Sequence, residues 1–203
     1  MAITNGATLA TAVGNWLARA DLSSRIPEFV ALAEAKFNRE LRTPDMETKD
    51  ASFSITGEYV AVPTGFLEVR YWHLNDGDKN TLAFLPPDTQ SGYLPDGTGI
   101  PVYYSVTGSN FRFAPVPDGT YASTLIYYKA LTTCSTGSTE TNWLLTSHPD
   151  IYLYGSLLEA VGYLYDDARV QTWYNAYRGA IEQLKRQGAR QRWSGPSMAA
   201  RVA

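Results

Sequence analysis

The period of the apolar residues changes twice along this chain, and that change limits the fold more than any other feature. Apolar residues recur every three or four positions over residues 7–42, which predicts two helices with a break at residues 21–24. Over residues 51–131, short alternating or β-branched runs are separated by Gly and Pro, which predicts antiparallel strands. The helical period returns over residues 147–187. The sequence therefore predicts helices at both ends and strands between them.

A chain of 203 residues with this order of elements is expected to have an α+β fold. We predict a helical body formed by the N- and C-terminal helices, with an antiparallel β domain inserted into it as a compact sheet or small sandwich. The predicted parts are residues 1–47 (N-terminal part of the helical body), 48–142 (inserted antiparallel β domain), 143–187 (C-terminal part of the helical body) and 188–203 (extended C-terminal arm). Within the insertion the predicted strands are residues 51–56, 59–62, 66–74, 101–107, 110–114 and 121–131.

The C-terminal end is strongly basic. The last nineteen residues carry five positive charges and no acidic side chain, so the rest of a chain with net charge −3 carries −8. Gly188, Gly195 and Pro196 do not fit one regular element, and Trp193 is the only large aromatic residue after Tyr177. The segment is predicted to be an extended arm that contacts a partner through its charges and Trp193. The alternative is a solvated, disordered terminus.

The residues that usually carry catalysis or bind metals do not form a recognisable site. One cysteine, Cys134, and two histidines, His73 and His148, stand in contexts that resemble neither a zinc site nor a catalytic triad. Asp76 and Asp78 lack the remaining ligand spacing of a calcium loop, and the adjacent Asp166 and Asp167 are expected to cap the helix that follows them. We therefore predict that the protein is not an enzyme and that it has no catalytic residue, no metal and no cofactor.

Composition excludes two further classes of protein. A hydrophobic content of 44% and an aromatic content of 13% exclude a disordered chain. The sequence contains no apolar run of the roughly 20 residues that a membrane-spanning helix needs, and its N-terminal residues do not resemble a secretory signal. We expect a soluble, intracellular protein without a membrane partner.

Several aromatic residues lie on the predicted helices. Trp16 is on the apolar stripe of the first helix, beside Val13. Trp173, Tyr174 and Tyr177 form a stripe on the last helix, which belongs either to the core or to an interface. Because tyrosine and tryptophan are enriched where subunits meet, we predict that these three residues lie at a subunit interface.

Two segments of the predicted helical body show a likeness to a known family. They are residues 24–42 (SRIPEFVALAEAKFNRELR), which lead to Met46 and Glu47, and residues 149–160 (PDIYLYGSLLEA), which are followed by residues 173–177 (WYNAY) and the basic end. In these segments the chain resembles the head-to-tail adaptor (connector) proteins of tailed bacteriophages, particularly those of short-tailed phages. The likeness covers the two ends of the chain, and the middle strands match only in kind.

This resemblance implies a structural protein of the virion neck, assembled in the host cytoplasm. Its copies would form a ring of about twelve subunits beneath the portal protein, with genomic DNA passing through the central channel without sequence-specific binding. A further tail or nozzle protein would bind on the other side, and the C-terminal arm would reach into the portal. The expected portal-binding residues are Arg186, Arg190, Arg192, Trp193, Pro196, Met198 and Arg201.

Two other functions remain open from the sequence. The first is a nucleic-acid-binding module that uses Arg186, Arg190 and Arg192, with Trp193 as a stacking residue. The second is a hydrolase or carbohydrate-binding tail protein, which would need a carboxylate pair in a cleft. Glu58 and Glu68, the glutamates of the strand region, are not spaced as such a pair.

Overall fold

The computed structural model describes residues 2–89, 97–134, 137, 139–164 and 168–193. The chain divides into two compact units. The helical unit comprises Met1–Met46 and Leu131–Ala203, and the strand unit comprises Glu47–Ala130. The fold is thus the expected mixture of helices and antiparallel sheets.

The helical unit is built around one short helix that is buried on nearly all sides. Its helices are α1 (Gly6–Leu17), α2 (Ile26–Glu40), α3 (Trp143–Ser147), α4 (Pro149–Glu159) and α5 (Arg169–Trp193). Helix α4 packs against the other four, and six of its eleven residues are buried. A helix that is apolar around its whole circumference is stable only inside a core, which explains the central position of α4.

The segment after the last strand belongs to the helical unit, although residues 131–142 were expected in the β domain. Two side chains of α2, one helical turn apart, hold it in place. Asn38 Oδ1 accepts a hydrogen bond from the Leu131 backbone N–H at 2.8 Å, and Glu34 Oε1 accepts one from the Cys134 backbone N–H at 2.8 Å. These oxygens satisfy donors that a neighbouring strand would otherwise bind, so the chain leaves the sheet and lies along α2.

Glu34 belongs to a buried network of hydrogen bonds. The Tyr152 hydroxyl donates to Glu34 Oε1 at 3.1 Å, and Asn142 Nδ2 donates to the Tyr152 oxygen at 2.6 Å and to the Thr132 carbonyl at 2.7 Å. Burial raises the pKa of Glu34, and the hydrogen bonds from Cys134 and Tyr152 oppose that rise. Burial also raises the pKa values of Tyr152 and Cys134, so both groups keep their protons near neutral pH.

The strand unit is a small sandwich. A three-stranded antiparallel sheet has the order β1-β9-β3, and a four-stranded sheet has the order β2-β7-β6-β4. The strands are β1 (Glu47–Ile55), β2 (Tyr59–Ala61), β3 (Phe66–Leu74), β4 (Ala83–Phe84), β5 (Thr98–Gly99), β6 (Tyr103–Thr107), β7 (Asn110–Ala114), β8 (Val116–Pro117) and β9 (Tyr121–Lys129).

Trp72 lies at the centre of the core shared by the two sheets. Its ring is 1% exposed and meets Phe53 of its own sheet edge to face, and Phe111 and Phe113 of the other sheet in the same way. The indole N–H donates to Ser123 Oγ at 3.0 Å, so the polar atom of this buried residue is satisfied. Aromatic packing therefore joins the two sheets.

The predicted strands are confirmed, with one difference in strand direction. The predicted strands 66–74 and 110–114 coincide with β3 and β7, and the other four predicted strands overlap β1, β2, β6 and β9. The short pairs β4 with β6 and β5 with β8 are parallel, whereas only antiparallel pairing was expected. Each is only two residues long, and so short a pair leaves no alternation in the sequence.

Candidate interaction surface on the C-terminal helix

One side of α5 packs into the helical unit over most of the helix. The buried residues recur at helical spacing and are Trp173, Tyr177, Ile181, Leu184 and Gly188. Their spacing keeps one stripe against the core while the other positions stay partly or fully exposed. The buried stripe extends beyond Gln187, where sequence placed the end of this helix.

Gly188 lies inside α5, where it allows close packing against the segment that contains Thr43 and Pro44. A Cβ atom at this position would lie 3.1 Å from Pro44 Cδ and 3.5 Å from Thr43 Cγ2, so only glycine lets the two segments come this close without a shift. One turn later, Arg192 Nη2 donates to the Arg42 carbonyl oxygen at 2.7 Å. The expectation that residues 188–193 form an extended arm is therefore wrong, because these residues are helical and the glycine serves close packing.

The opposite side of α5 near its end is polar and basic. Gln183, Arg186, Gln187 and Arg190 follow one another at spacings of one, three and four residues and border an open surface depression of about 410 Å³. We call these four residues the basic stripe. Arg186 lies 3.7 Å from Glu182, and both side chains are largely exposed. The basic stripe can thus receive acidic groups of another molecule.

The whole helix carries an excess of positive charge. Six basic side chains and one acidic side chain, Glu182, lie on α5, and the last ten residues contain four of the basic ones. Cations near a helix C-terminus are stabilised by the helix dipole, which accounts for one or two of them. Since the dipole acts within the last turn, it does not explain Lys185 or Arg186.

The predicted portal-binding residues fall into three groups. Arg186 and Arg190 are exposed on the basic stripe, while Arg192 is bound to the Arg42 carbonyl and Trp193 is the last residue of α5. The remaining predicted residues, Pro196, Met198 and Arg201, lie outside the described residues. The glutamines of the stripe were missed, although their spacing from the two arginines was readable in the sequence.

Two of the three aromatic residues predicted at a subunit interface are inside the helical unit. Trp173 is 2% exposed, and Tyr177 is 5% exposed with its hydroxyl donating to Glu40 Oε2 at 3.3 Å. Their burial removes both from the surface that a neighbouring subunit could contact. Tyr174 is 47% exposed, Trp16 is 44% exposed and Tyr163 is 40% exposed, so among the described residues the helical unit presents these three large aromatic side chains on its surface.

Two of the residues considered for chemistry, Cys134 and Glu58, are buried or paired within the protein. Cys134 is buried, and Glu58 Oε1 accepts a hydrogen bond from Arg112 Nε at 2.9 Å. Within the described ranges, no group of three His, Cys, Asp or Glu side chains is placed to hold a metal ion. Asp166 and Asp167 lie outside those ranges.

None of the described helices combines the length and the apolar character that crossing a membrane requires.

The family described as SU10 adaptor protein matches residues 4–201, almost the whole chain. No curated protein matches the sequence.

Proposed function

The chain belongs to the SU10 adaptor protein family, the phage head-tail adaptors, and from that premise we propose that its copies form a ring in the neck of a short-tailed phage. As a phage structural adaptor it contacts other head and tail proteins and has a non-enzymatic role. In the proposed arrangement, a ring of about twelve copies lies between the portal and a further tail or nozzle protein. Genomic DNA passes through its centre.

The end of α5 is the observation that carries this proposal. The helix is fixed in the helical unit through Gly188 and the bond from Arg192 to the Arg42 carbonyl. Its basic stripe is therefore held in a defined orientation and does not have to be ordered when a partner binds. We assign the basic stripe, together with Arg192, Trp193, Pro196, Met198 and Arg201, to the portal contact.

Ring formation requires two different surfaces on each subunit, since a closed ring repeats one heterologous contact. Tyr174 and Trp16 supply exposed aromatic area on the helical unit, and aromatic residues are enriched in such contacts. A net charge of −3 favours passage of DNA over tight binding, because strong binding requires many cations to neutralise phosphates.

A nucleic-acid-binding module is the second candidate, and the same basic stripe favours it. The two functions differ in their ionic-strength dependence and in their partner. Tight binding of the isolated protein to duplex DNA, weakening steeply with salt, would support the module and count against the adaptor ring.

The test of the portal contact compares two charge reversals of equal size on the same helix. Arg190→Glu changes the basic stripe, and Lys185→Glu changes an exposed cation on another face of α5. We expect Arg190→Glu to weaken co-sedimentation with purified portal by about tenfold or more and Lys185→Glu to change it little. Equal effects of the two substitutions, or no effect of Arg190→Glu, would contradict the assignment.

A further inference from the structure

The basic stripe of α5 consists of two parallel rows of side chains. One row is formed by Gln183 and Gln187, and the other by Arg186 and Arg190. In both rows the residues are four positions apart, and the two rows border the open depression on this side of the helix. Residues four apart form ridges on an α-helix, and the groove between two such ridges accepts a ridge of the same kind from a second helix. The shape of the stripe therefore favours a helix as its partner.

The positive charge of the arginine row is only partly compensated by α5 itself. Arg186 lies 3.7 Å from Glu182, and the same carboxylate group also pairs with Arg178 at 3.2 Å. Arg190 has no acidic residue three or four positions away on either side, and within the described part of the chain it forms no ion pair or hydrogen bond. Two cations one helical turn apart repel each other, so an external anion between them stabilises the pair.

The side chains of the stripe suit a pair of carboxylates. A guanidinium binds a carboxylate through two parallel hydrogen bonds. Arg186 and Arg190 are about 6 Å apart along the helix axis, which is also the spacing of two Asp or Glu residues four positions apart on a partner helix. The exposed amides of Gln183 and Gln187 can donate to the remaining carboxylate oxygens without adding charge. The stripe thus matches an acidic row of the same period.

The helices of a second copy do not offer such an acidic row. Among the five helices α1 to α5, α1 and α3 contain no acidic residue and α5 contains one. The three glutamates of α2 are six positions apart, and Asp150 and Glu159 of α4 are nine positions apart. None of these spacings places two carboxylates on one face a single turn apart. The matching helix therefore belongs to a different protein.

Duplex DNA fits the stripe less well than a protein helix does. Tight binding to a duplex requires the neutralisation of several phosphates, and the stripe supplies two cations. The Glu182 side chain beside Arg186 is 48% exposed, so its negative charge would face the phosphates. Lys185 lies on another face of α5, and Arg192 is bound to the Arg42 carbonyl. The charges of the stripe are enough for two carboxylates and too few for a duplex.

We propose that the basic stripe binds a helix of another protein that carries two acidic residues four positions apart on its surface. The acidic row lies in the groove between the two rows of the stripe, so that each carboxylate meets an arginine on one side and a glutamine on the other. The proposal rests on the proposed function, which assigns the stripe to the portal contact, and the acidic helix accordingly belongs to the portal.

Charge reversal with rescue tests this proposal. Arg186→Glu and Arg190→Glu are combined in the full-length protein. In purified portal, each surface pair of Asp or Glu residues four positions apart on a helix is replaced in turn by two lysines. We expect the double reversal to weaken co-sedimentation with unmodified portal by about a hundredfold, and one lysine variant of the portal to restore it by about tenfold or more. A portal without such a pair, or a set of lysine variants of which none restores binding, would overturn the proposal.

The matched control combines Arg178→Glu with Lys185→Glu, which change the charge of α5 equally at exposed positions outside the stripe. Arg178 pairs with Glu182 as Arg186 does, so the control also removes one of these pairs. We expect the control to co-sediment with the portal as the unmodified protein does. A milder variant, Arg186→Gln with Arg190→Gln, removes both charges without reversing them and should lose about tenfold, with an unchanged thermal melt. Equal losses in the control would overturn the proposal.

The outcomes separate this proposal from the portal assignment. If the double reversal loses portal binding and no lysine variant restores it, the acidic helix is wrong while the proposed function stands. If neither stripe variant changes portal binding, both the acidic helix and the portal assignment fail. Binding to a duplex oligonucleotide, or self-association in light scattering, that is lost in the double reversal while portal binding is kept would place DNA or a second copy on the stripe and overturn the proposal.

Discussion

Glu34 is a buried carboxylate whose one oxygen accepts two hydrogen bonds, from the Cys134 backbone N–H and the Tyr152 hydroxyl. It anchors the segment that returns from the last strand to the helical unit. The sequence placed Glu34 within the helix but gave no sign of its burial, because glutamate is usually exposed at such a position. The role of Glu34 is visible only in its contact with Cys134, which lies 100 residues further along the chain.

The pH dependence of stability tests this anchor. Burial raises the pKa of Glu34 in the folded state, so between its unfolded and folded pKa values the folded protein binds more protons and loses stability as pH rises. Glu34→Gln keeps an accepting oxygen and removes the ionisation. We expect the melting temperature of Glu34→Gln, relative to the unmodified protein, to increase from about pH 4 to about pH 8.

The control for Glu34→Gln is Glu28→Gln, which removes the charge of an exposed glutamate on the same helix. A difference in melting temperature between Glu34→Gln and the unmodified protein that does not change with pH would contradict the role given to burial.

Substitution by alanine is expected to have opposite effects on stability at two helical glycines, Gly155 and Gly179. A Cβ atom at Gly155 would lie 2.6 Å from Phe37 Cζ, in a ring that is fully buried, whereas nothing lies within 4 Å of a Cβ atom at Gly179. We expect Gly155→Ala to lower the free energy of unfolding by about 1–3 kcal/mol through overpacking. Gly179→Ala should raise it by about 1 kcal/mol through helix propensity.

Urea unfolding of the two glycine variants gives both values. If Gly155→Ala proved as stabilising as Gly179→Ala, α2 and α4 would not approach each other as closely as described.

At the scale of the element, α5 shows where sequence patterns succeed and where they stop. The apolar period predicted the helix and its buried stripe, but Gly188 was taken as a stop signal. Glycine ends helices when it supplies a left-handed residue, yet it also occurs inside them where another segment approaches closely. Only the position of Pro44 decides between the two, and that position depends on tertiary packing.

Trp193 is the last residue of α5, and we predict that its side chain contributes to the portal contact. Inserted into a groove of the portal, an indole ring buries a large apolar area next to the arginines of the helix end. We expect Trp193→Ala to weaken portal attachment by about 2 kcal/mol or more while changing the melting temperature little. Gln191→Ala is the neighbouring control, and both variants are titrated against portal beside a thermal melt.

A large drop in the melting temperature of Trp193→Ala with unchanged portal affinity would place the tryptophan in the core of the helical unit and exclude it from the portal contact.

At the scale of the whole molecule, the order of helices, strands and helices was readable from the sequence, while the pairing of the strands was not. Strand β9 pairs with both β1 and β3, and its apolar run gave no sign of which neighbours it would have. The burial of Trp173 and Tyr177 was equally hidden, because an aromatic stripe looks the same in a core and at an interface. Of the basic stripe, Arg186 and Arg190 were predicted from the sequence, whereas Gln183 and Gln187 were not.

Assembly is expected to depend on the portal. The exposed large aromatic residues in the described part of the helical unit, Tyr174, Trp16 and Tyr163, are few, and exposed single aromatic residues do not by themselves hold a ring together. We expect the isolated protein to be mainly monomeric in light scattering at micromolar concentration. A stable ring in the absence of portal would contradict this expectation and leave the portal contact untouched.

The most direct test of the adaptor ring is negative-stain imaging of the protein mixed with purified portal. The account predicts small particles for the protein alone, and in the mixture a second ring stacked on the portal ring around an open channel, lost with Arg190→Glu and kept with Lys185→Glu. Portal rings that stay bare in the mixture, or a second ring that forms equally well with Arg190→Glu, would contradict it.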